Sequence, residues 1–379
     1  MIFPAGTAVE ARTLLAGRAL RAFCDGFVAI LLPAYLLALG LGTWEIGVIG
    51  TATLLGSALL TLALGQWGHR FDARRLLLGA AWLMSLTGML LAGLSDFWPL
   101  LLVAFVGTIN PSSGDVSIFL PLEHAWLSAA AHGDARTALF SRYTFVGATC
   151  AALGALATGL PDLLIGAGFD RLTALRAMFV GYGLVGAVVF LLYRRLPALA
   201  AREAATAPTP LGPSKRTVFK LAALFSLDAF AGGLVLNTLL ALWLFERFGL
   251  SLAAAGAFFF WAGLLTAASQ LAAPVVARRI GLLNTMVFTH IPANLALILG
   301  ALAPNIEWAL TLLLVRALLS QMDVPTRAAF VMAVVTPPER AAAASFTAVP
   351  RSLASAASPA LGGALFAAGW LAAPLIACG

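Results

Sequence analysis

Asp25 and Asp228 each lie about 11 residues inside a long apolar run, about 16 Å along a helix from its start. A carboxylate at that depth in hydrocarbon costs several kcal/mol if it is charged and unpaired, so it holds a proton or finds a cation. A group that is neutral in one arrangement and ionised in another is suited to proton coupling, which is the role expected for both residues. Asp25 has a second reading as the partner of Arg21, four residues earlier. Asp228 has no basic residue within one turn of its own helix.

A second set of charges lies toward the ends of apolar runs. Asp115 and Arg142 flank one short loop, and Asp323 and Arg351 flank another. Each pair is placed to form an ion pair, read here as a latch, with Arg70, Arg74 and Arg279 in the same gate. Arg316 falls mid-run, where a guanidinium binds a carboxylate or other oxyanion bidentately or balances a buried aspartate. Asn110, in Asn110-Pro111-Ser112-Ser113-Gly114, marks a helix interruption, because proline frees a carbonyl one turn back. Asn110, Ser113, Asn237 and Gln321 are expected, with Arg316, to face a ligand. His290 and Asn294 read as structural, and Glu123 and His124 as interfacial.

The elements that hold these residues come in two similar halves. Residues 25–155 resemble 228–364: Asp115-Val116 recurs as Asp323-Val324, Arg142 as Arg351, and Gly40 and Gly47 as Gly249 and Gly256. Arg316 is not copied. A hydrophobic chain built as two related halves with intramembrane charges is the plan of a secondary transporter.

The 379 residues are 61% hydrophobic and 10% charged, far below the roughly 25% charge of soluble domains. Mean hydropathy is +0.97. The bilayer is therefore the solvent. Apolar runs of spanning length are expected as helices at 14–39, 45–67, 76–95, 98–128, 137–160 and 173–193. The second half gives 217–246, 251–276, 282–302, 306–335, 341–367 and a short remnant at 369–379. This is an all-α polytopic fold with two six-helix bundles, 1–193 and 217–379, joined by a proline-rich linker at 194–216.

Sixteen Lys and Arg fall in one set of alternate loops and ends, against three (Arg171, Arg176 and Arg247) in the other. The positive-inside rule then puts the N-terminus and linker in the cytoplasm. The same rule accounts for the net charge of +7 without nucleic acid. Arg18, Arg21 and Asp25 interrupt the first apolar run, so it reads as a spanning helix and not a cleaved signal. Cys24, Cys150 and Cys378 are too scattered for a disulfide framework or metal site.

The 6+6 plan, the central linker and a basic loop after the second helix resemble the major facilitator superfamily along essentially the whole chain. The superfamily loop motif has Gly, three residues, Asp, Arg, one residue, Gly, then basic residues. In GQWGHRFDARR, Gly65, Arg70, Arg74 and Arg75 match, while His69 and Asp72 replace the Asp and second Gly. The repeat PVVARRIG keeps Arg279 and Gly281, with Pro274 and Arg278 at the other positions. The antiporter signature of the fifth helix is not intact in GATCAALGALATG, and its nearest match is SPALGG at Ser358–Gly363. The resemblance implies pseudo-two-fold symmetry, a cavity lined by helices 1, 4, 7 and 10, and alternating access in a bacterial inner membrane. It is similar to the drug and metabolite exporters.

Lys215 and Lys220 are the only lysines and neither follows a glycine, so no phosphate-binding loop exists. HExxH and GxSxG are also absent. The expectation is a monomeric, cofactor-free, proton-coupled transporter that exports a small organic solute. Proton-linked uptake of an organic anion held by Arg316 is the alternative. An intramembrane enzyme or a non-transporting membrane protein lacks sequence support.

Overall fold

The computed structural model describes residues 9–112, 117–130, 133–197 and 211–379, and no strand occurs among them. Sixteen α-helical segments follow one another. The first half holds α1 (Val9–Ala38), α2 (Thr43–Trp67), α3 (Ala73–Gly93), α4 (Phe97–Val106), α5 (Phe119–Ala130), α6 (Gly133–Leu156), α7 (Leu160–Gly166) and α8 (Arg171–Tyr193). The second holds α9 (Lys215–Gly233), α10 (Asn237–Phe248), α11 (Leu252–Ile280), α12 (Leu282–Ala301), α13 (Ile306–Ser320), α14 (Asp323–Val334), α15 (Arg340–Ala367) and α16 (Ala373–Cys378). Eight helices or joined helix pairs are long and apolar enough to cross a membrane.

The excess over twelve comes from interruptions. The fourth expected helix divides into α4 and α5, the seventh into α9 and α10, and the tenth into α13 and α14. The fifth continues past α6 through a 3-10 turn into α7. A proline stands at the interruption near Asn110 (Pro111) and another, Pro161, opens α7. At the seventh helix, Gly232-Gly233 give way to Leu234–Leu236, with Leu236 extended. At the tenth, Gln321 and Met322 separate the two segments. Pro325 then sits in the first turn of α14, where a missing N–H forfeits no helical bond. Helix α16 spans six residues, short of the roughly 20 needed to cross a bilayer.

Capping explains several boundaries. Asp72 accepts the Arg74 N–H (2.9 Å) to start α3, and Asn305 accepts the Trp308 N–H (3.1 Å) to start α13. The repeated glycines Gly40 and Gly249 both have positive φ, +84° and +60°, at the ends of α1 and α10. The repeat therefore copies a left-handed helix terminus that favours glycine.

The chain forms two compact units, Met1–Leu41 with Ala52–Ala204, and Gly42–Thr51 with Ala205–Gly379. In the first, α1 packs on α6 and α8, and α3 packs on α8. In the second, α15 packs on α9, and α12 packs on α13 and α14. The opening turns of α2 also pack here. A Cβ at Gly47 would lie 2.8 Å from Gly363 Cα, and the Ala360 N–H donates to the Thr51 hydroxyl (3.0 Å). The SPALGG segment is thus a close-packing surface for helix α2.

Candidate functional site

Three charged side chains and a histidine of the second unit meet within the helical bundle. Asp228 projects from α9, fourteen positions into the segment. Arg327 on α14 donates from Nη1 to Asp228 Oδ2 (2.9 Å) and places Nη2 2.7 Å from Asp323 Oδ2. Asp323 and Arg327 are four residues apart on one helix, so their side chains share a face. His290 on α12 brings Nε2 to 3.2 Å from the other Asp228 oxygen. The result is a chain, His290–Asp228–Arg327–Asp323, running from open to buried. The side chains of His290 and Asp228 are 33% and 37% exposed, against 11% and 12% for Arg327 and Asp323.

Such an arrangement can move charge without creating a bare ion. Arg327 bridges two carboxylates and can favour either, while the imidazole on Asp228 is neutral or cationic near neutral pH. Arg351 lies within electrostatic reach of Asp228, Asp323 and Arg327. The expected Asp323–Arg351 ion pair is not formed. Asp323 pairs with Arg327, which its own helix holds beside it.

The first unit contains a different arrangement. Arg21 on α1 donates from Nη2 to Glu123 Oε2 on α5 (2.5 Å), and the Tyr143 hydroxyl donates to the same oxygen. The Tyr193 hydroxyl, at the end of α8, donates to Glu123 Oε1. The Arg21 guanidinium lies 3.9 Å from the centre of the Phe119 ring. Arg21 and Glu123 are 2% and 0% exposed. Four helices are tied at one carboxylate.

Two sequence expectations change here. Glu123 is not interfacial; it is a buried ion supported by three donors. Arg21 is committed to Glu123 and does not serve as the ion-pair partner of Asp25, which is itself buried on α1. Arg18 and Arg21, which interrupt the first apolar run, are both buried.

Residues 14–322 match the family pattern of the Major Facilitator Superfamily. The chain belongs to the Major Facilitator Superfamily. An uncharacterized membrane protein of Saccharomyces cerevisiae is 25% identical over 258 residues, 59% of this chain and 58% of the yeast protein. The match thus spans little more than half of that relative. Among solved structures, the nucleoside transporter NupG aligns with a TM-score of 0.76 at 16% identity, covering 98% of this chain and 96% of NupG. A bacterial homologue of the iron transporter ferroportin gives a TM-score of 0.70 at 17% identity, covering 97% and 95%. At these identities the structural likeness carries the fold alone.

Superfamily membership makes this an all-helical, multi-pass membrane protein of a transporter superfamily. The remaining expected site residues take individual places. Asn110 is buried, and its Oδ1 accepts from the Ser112 N–H (3.1 Å) and hydroxyl (2.9 Å), so that oxygen stabilises the break after α4. Ser113 and Asp115 lie outside the described residues. Arg142 is half-buried, and its buried Nη1 makes no hydrogen bond with a described group. Asn237 opens α10 and Gln321 closes α13, so both stand at helix breaks.

In the motif loop, Arg70 is exposed. Arg74 donates to the Arg194 carbonyl (2.6 Å), tying the start of α3 to the end of α8. Arg279 is exposed in the last turn of α11. Arg316 is half-buried on α13, with its Nε buried and unbonded among the described residues. His290, read as structural, proves to be the residue facing Asp228. Arg327, which sequence reasoning passed over, is the centre of the cluster. Its signal was the Asp323–Arg327 spacing of four.

Proposed function

We propose that this chain is a proton-coupled secondary transporter that exports a small organic solute by alternating access, and that His290 and Asp228 carry the coupled proton. The observation behind this reading is the half-exposed His290–Asp228 contact at one end of a charge chain whose other end is buried. Protonating the open end changes how strongly Asp228 holds Arg327. Arg327 then shifts its partnership toward Asp323 on the same helix, which links proton occupancy to the position of α14 relative to α9. Ions inside a membrane bundle are costly to keep, so a network that trades partners keeps every charge paired through the cycle.

Asp25, buried on α1, is the corresponding carboxylate of the first unit in this scheme. Asn237 and Gln321, at the breaks of the seventh and tenth helices, offer polar groups at positions where interrupted helices commonly bind solute. Arg70, Arg142, Arg279 and Arg351 remain gate residues in the proposal, with Asp115. The loop charge bias supports a cytoplasmic N-terminus and linker at a plasma membrane.

The test is transport in proteoliposomes under an imposed pH gradient, using a panel of solutes. Asp228→Asn and His290→Gln should lose gradient-driven accumulation while keeping downhill exchange. Retention of full gradient-driven transport by both variants contradicts the coupling assignment. A second reading, uptake of an organic anion, is favoured by the unbonded buried Nε of Arg316. It predicts that Arg316→Gln impairs anionic solutes selectively. Equal effects on neutral and anionic solutes contradict it.

A further inference from the structure

The linker end of α9 carries a pocket separate from the buried charge chain. Its volume is about 650 Å³, and it is lined by Gly212, Pro213 and the side chains of Lys215, Arg216, Phe219 and Lys220. Along a helix, positions 215, 216, 219 and 220 fall on one face. The opposite face is buried: Val218 packs with Val331, Val335 and Ala343. The cations are exposed. Among the described residues none of the three forms an ion pair.

A carboxylate at the pocket edge is already committed. Glu339, between α14 and α15, accepts from the Gly212 N–H, from the Ser214 N–H (3.4 Å) and from the Thr336 hydroxyl (2.5 Å). Bonds from Ser214, Thr336 and Gly212 hold its carboxyl down to about 2. The Ser214 hydroxyl in turn accepts the Thr336 N–H (3.2 Å). This clamp fixes Gly212 and Ser214 at the pocket edge and uses their backbone donors. Those two backbone donors are not available to an anion, which leaves the lysine and arginine side chains as the charged donors of the pocket.

Beside the cations the surface is apolar. Phe219 is 51% exposed and its ring lies 5.8 Å from that of Phe346. Leu224 and Leu227, 62% and 69% exposed, extend the apolar surface along α9. The positive-inside rule accounts for cations at a helix end. It does not require them to share an open, shallow pocket with an exposed aromatic ring.

We propose that this pocket binds an amphiphilic anion: a phosphate or carboxylate group held by Lys215, Arg216 and Lys220, with an aromatic or aliphatic body laid on Phe219 and Leu224. The Arg216 fork suits paired oxygens, and the lysines add point charges. A soluble aryl phosphate and the headgroup of an acidic phospholipid present this same chemistry. The site is independent of proton coupling, so it is tested by binding without a pH gradient.

The full chain in phosphatidylcholine nanodiscs is titrated with 1-naphthyl phosphate and, separately, with inorganic phosphate. The same protein from membranes containing phosphatidylglycerol is assayed for retained lipid by native mass spectrometry. Lys215→Gln/Lys220→Gln should weaken 1-naphthyl phosphate binding about ten-fold or more, the scale of losing two cations near the anion. Arg75→Gln/Arg195→Gln, which removes two exposed charges elsewhere, should change it less than about two-fold. Phe219→Ala should weaken the aryl phosphate and leave inorganic phosphate unchanged. Lys215→Arg/Lys220→Arg should keep binding, so loss through misfolding is separable from loss of charge.

Displacement of 1-naphthyl phosphate by phosphatidylglycerol, with lipid lost from the Gln pair, assigns the site to lipid. Unaltered binding in phosphatidylglycerol nanodiscs assigns it to a soluble anion. The proposal is overturned if the two charge-removal pairs weaken binding equally. It is equally overturned if wild-type protein neither binds the aryl phosphate nor retains the lipid.

Discussion

The charge clusters of the two units solve the same problem in opposite ways. In the first, Glu123 is enclosed by Arg21, Tyr143 and Tyr193, and nothing of the carboxylate is exposed. In the second, Asp228 shares its oxygens between Arg327 and a half-exposed histidine. The repeat does not copy either arrangement. Counting 208 residues forward from Glu123 gives Val331, part of the apolar cluster around Val218. Counting 208 back from Arg327 gives Phe119, the ring on which Arg21 lies. One unit draws its cation from α1 and the other from α14. A closed lock resists change, whereas an open chain can accept a proton, so the difference assigns stability to the first unit and switching to the second.

The comparison is most exposed to breakage at Glu123. Glu123→Ala leaves Arg21 buried without its counter-ion, and breaking such a pair from one side typically costs about 3–5 kcal/mol. The unfolding midpoint in micelles should fall by more than for any single change in the other cluster. An equal or smaller fall for Glu123→Ala than for Asp228→Ala removes the distinction. Next in size is Tyr193→Phe, which deletes one buried donor to a carboxylate, at about 1.5–3 kcal/mol. The same unfolding assay checks it, and transport by folded protein should be preserved.

Asp228→Asn is expected to cost only about 1 kcal/mol of stability, the scale of a partly exposed pair. It should still eliminate coupling, so a plot of stability against transport separates the units. A separate prediction concerns the pH dependence set by Glu339. Its folded carboxyl titrates at about 2, below the ordinary 4.5. Its stabilisation is therefore present above about pH 4.5 and is lost as pH falls toward 2. The stability gap between wild type and Glu339→Gln should close over that interval, as measured by acid unfolding.

The fold was legible because membrane helices need length and apolarity, and the chain displays both repeatedly. The internal repeat was equally plain in Gly40 and Gly249, whose backbones favour glycine. The breaks at Leu234–Leu236 and Gln321–Met322 were not legible. A glycine pair is common in membrane helices, and Pro325 only looks disruptive until the helix is known to start at Asp323. Asp228 and Asp323 stood out as ions in apolar runs. Their partners did not, since pairing depends on which helix faces which. His290 read as structural and Glu123 as interfacial. Tyrosine hydroxyls that reach a carboxylate from 20 and 70 residues away leave no local pattern.

Solute-linked proton flux in proteoliposomes, measured with an internal pH dye, tests the central contrast most directly. Wild-type protein should change internal pH on solute addition, and Tyr193→Phe should do the same. Asp228→Asn and His290→Gln should exchange solute with no accompanying pH change. Persistence of solute-linked proton movement in Asp228→Asn, or its loss in folded Tyr193→Phe, would contradict the assignment of switching to the second unit.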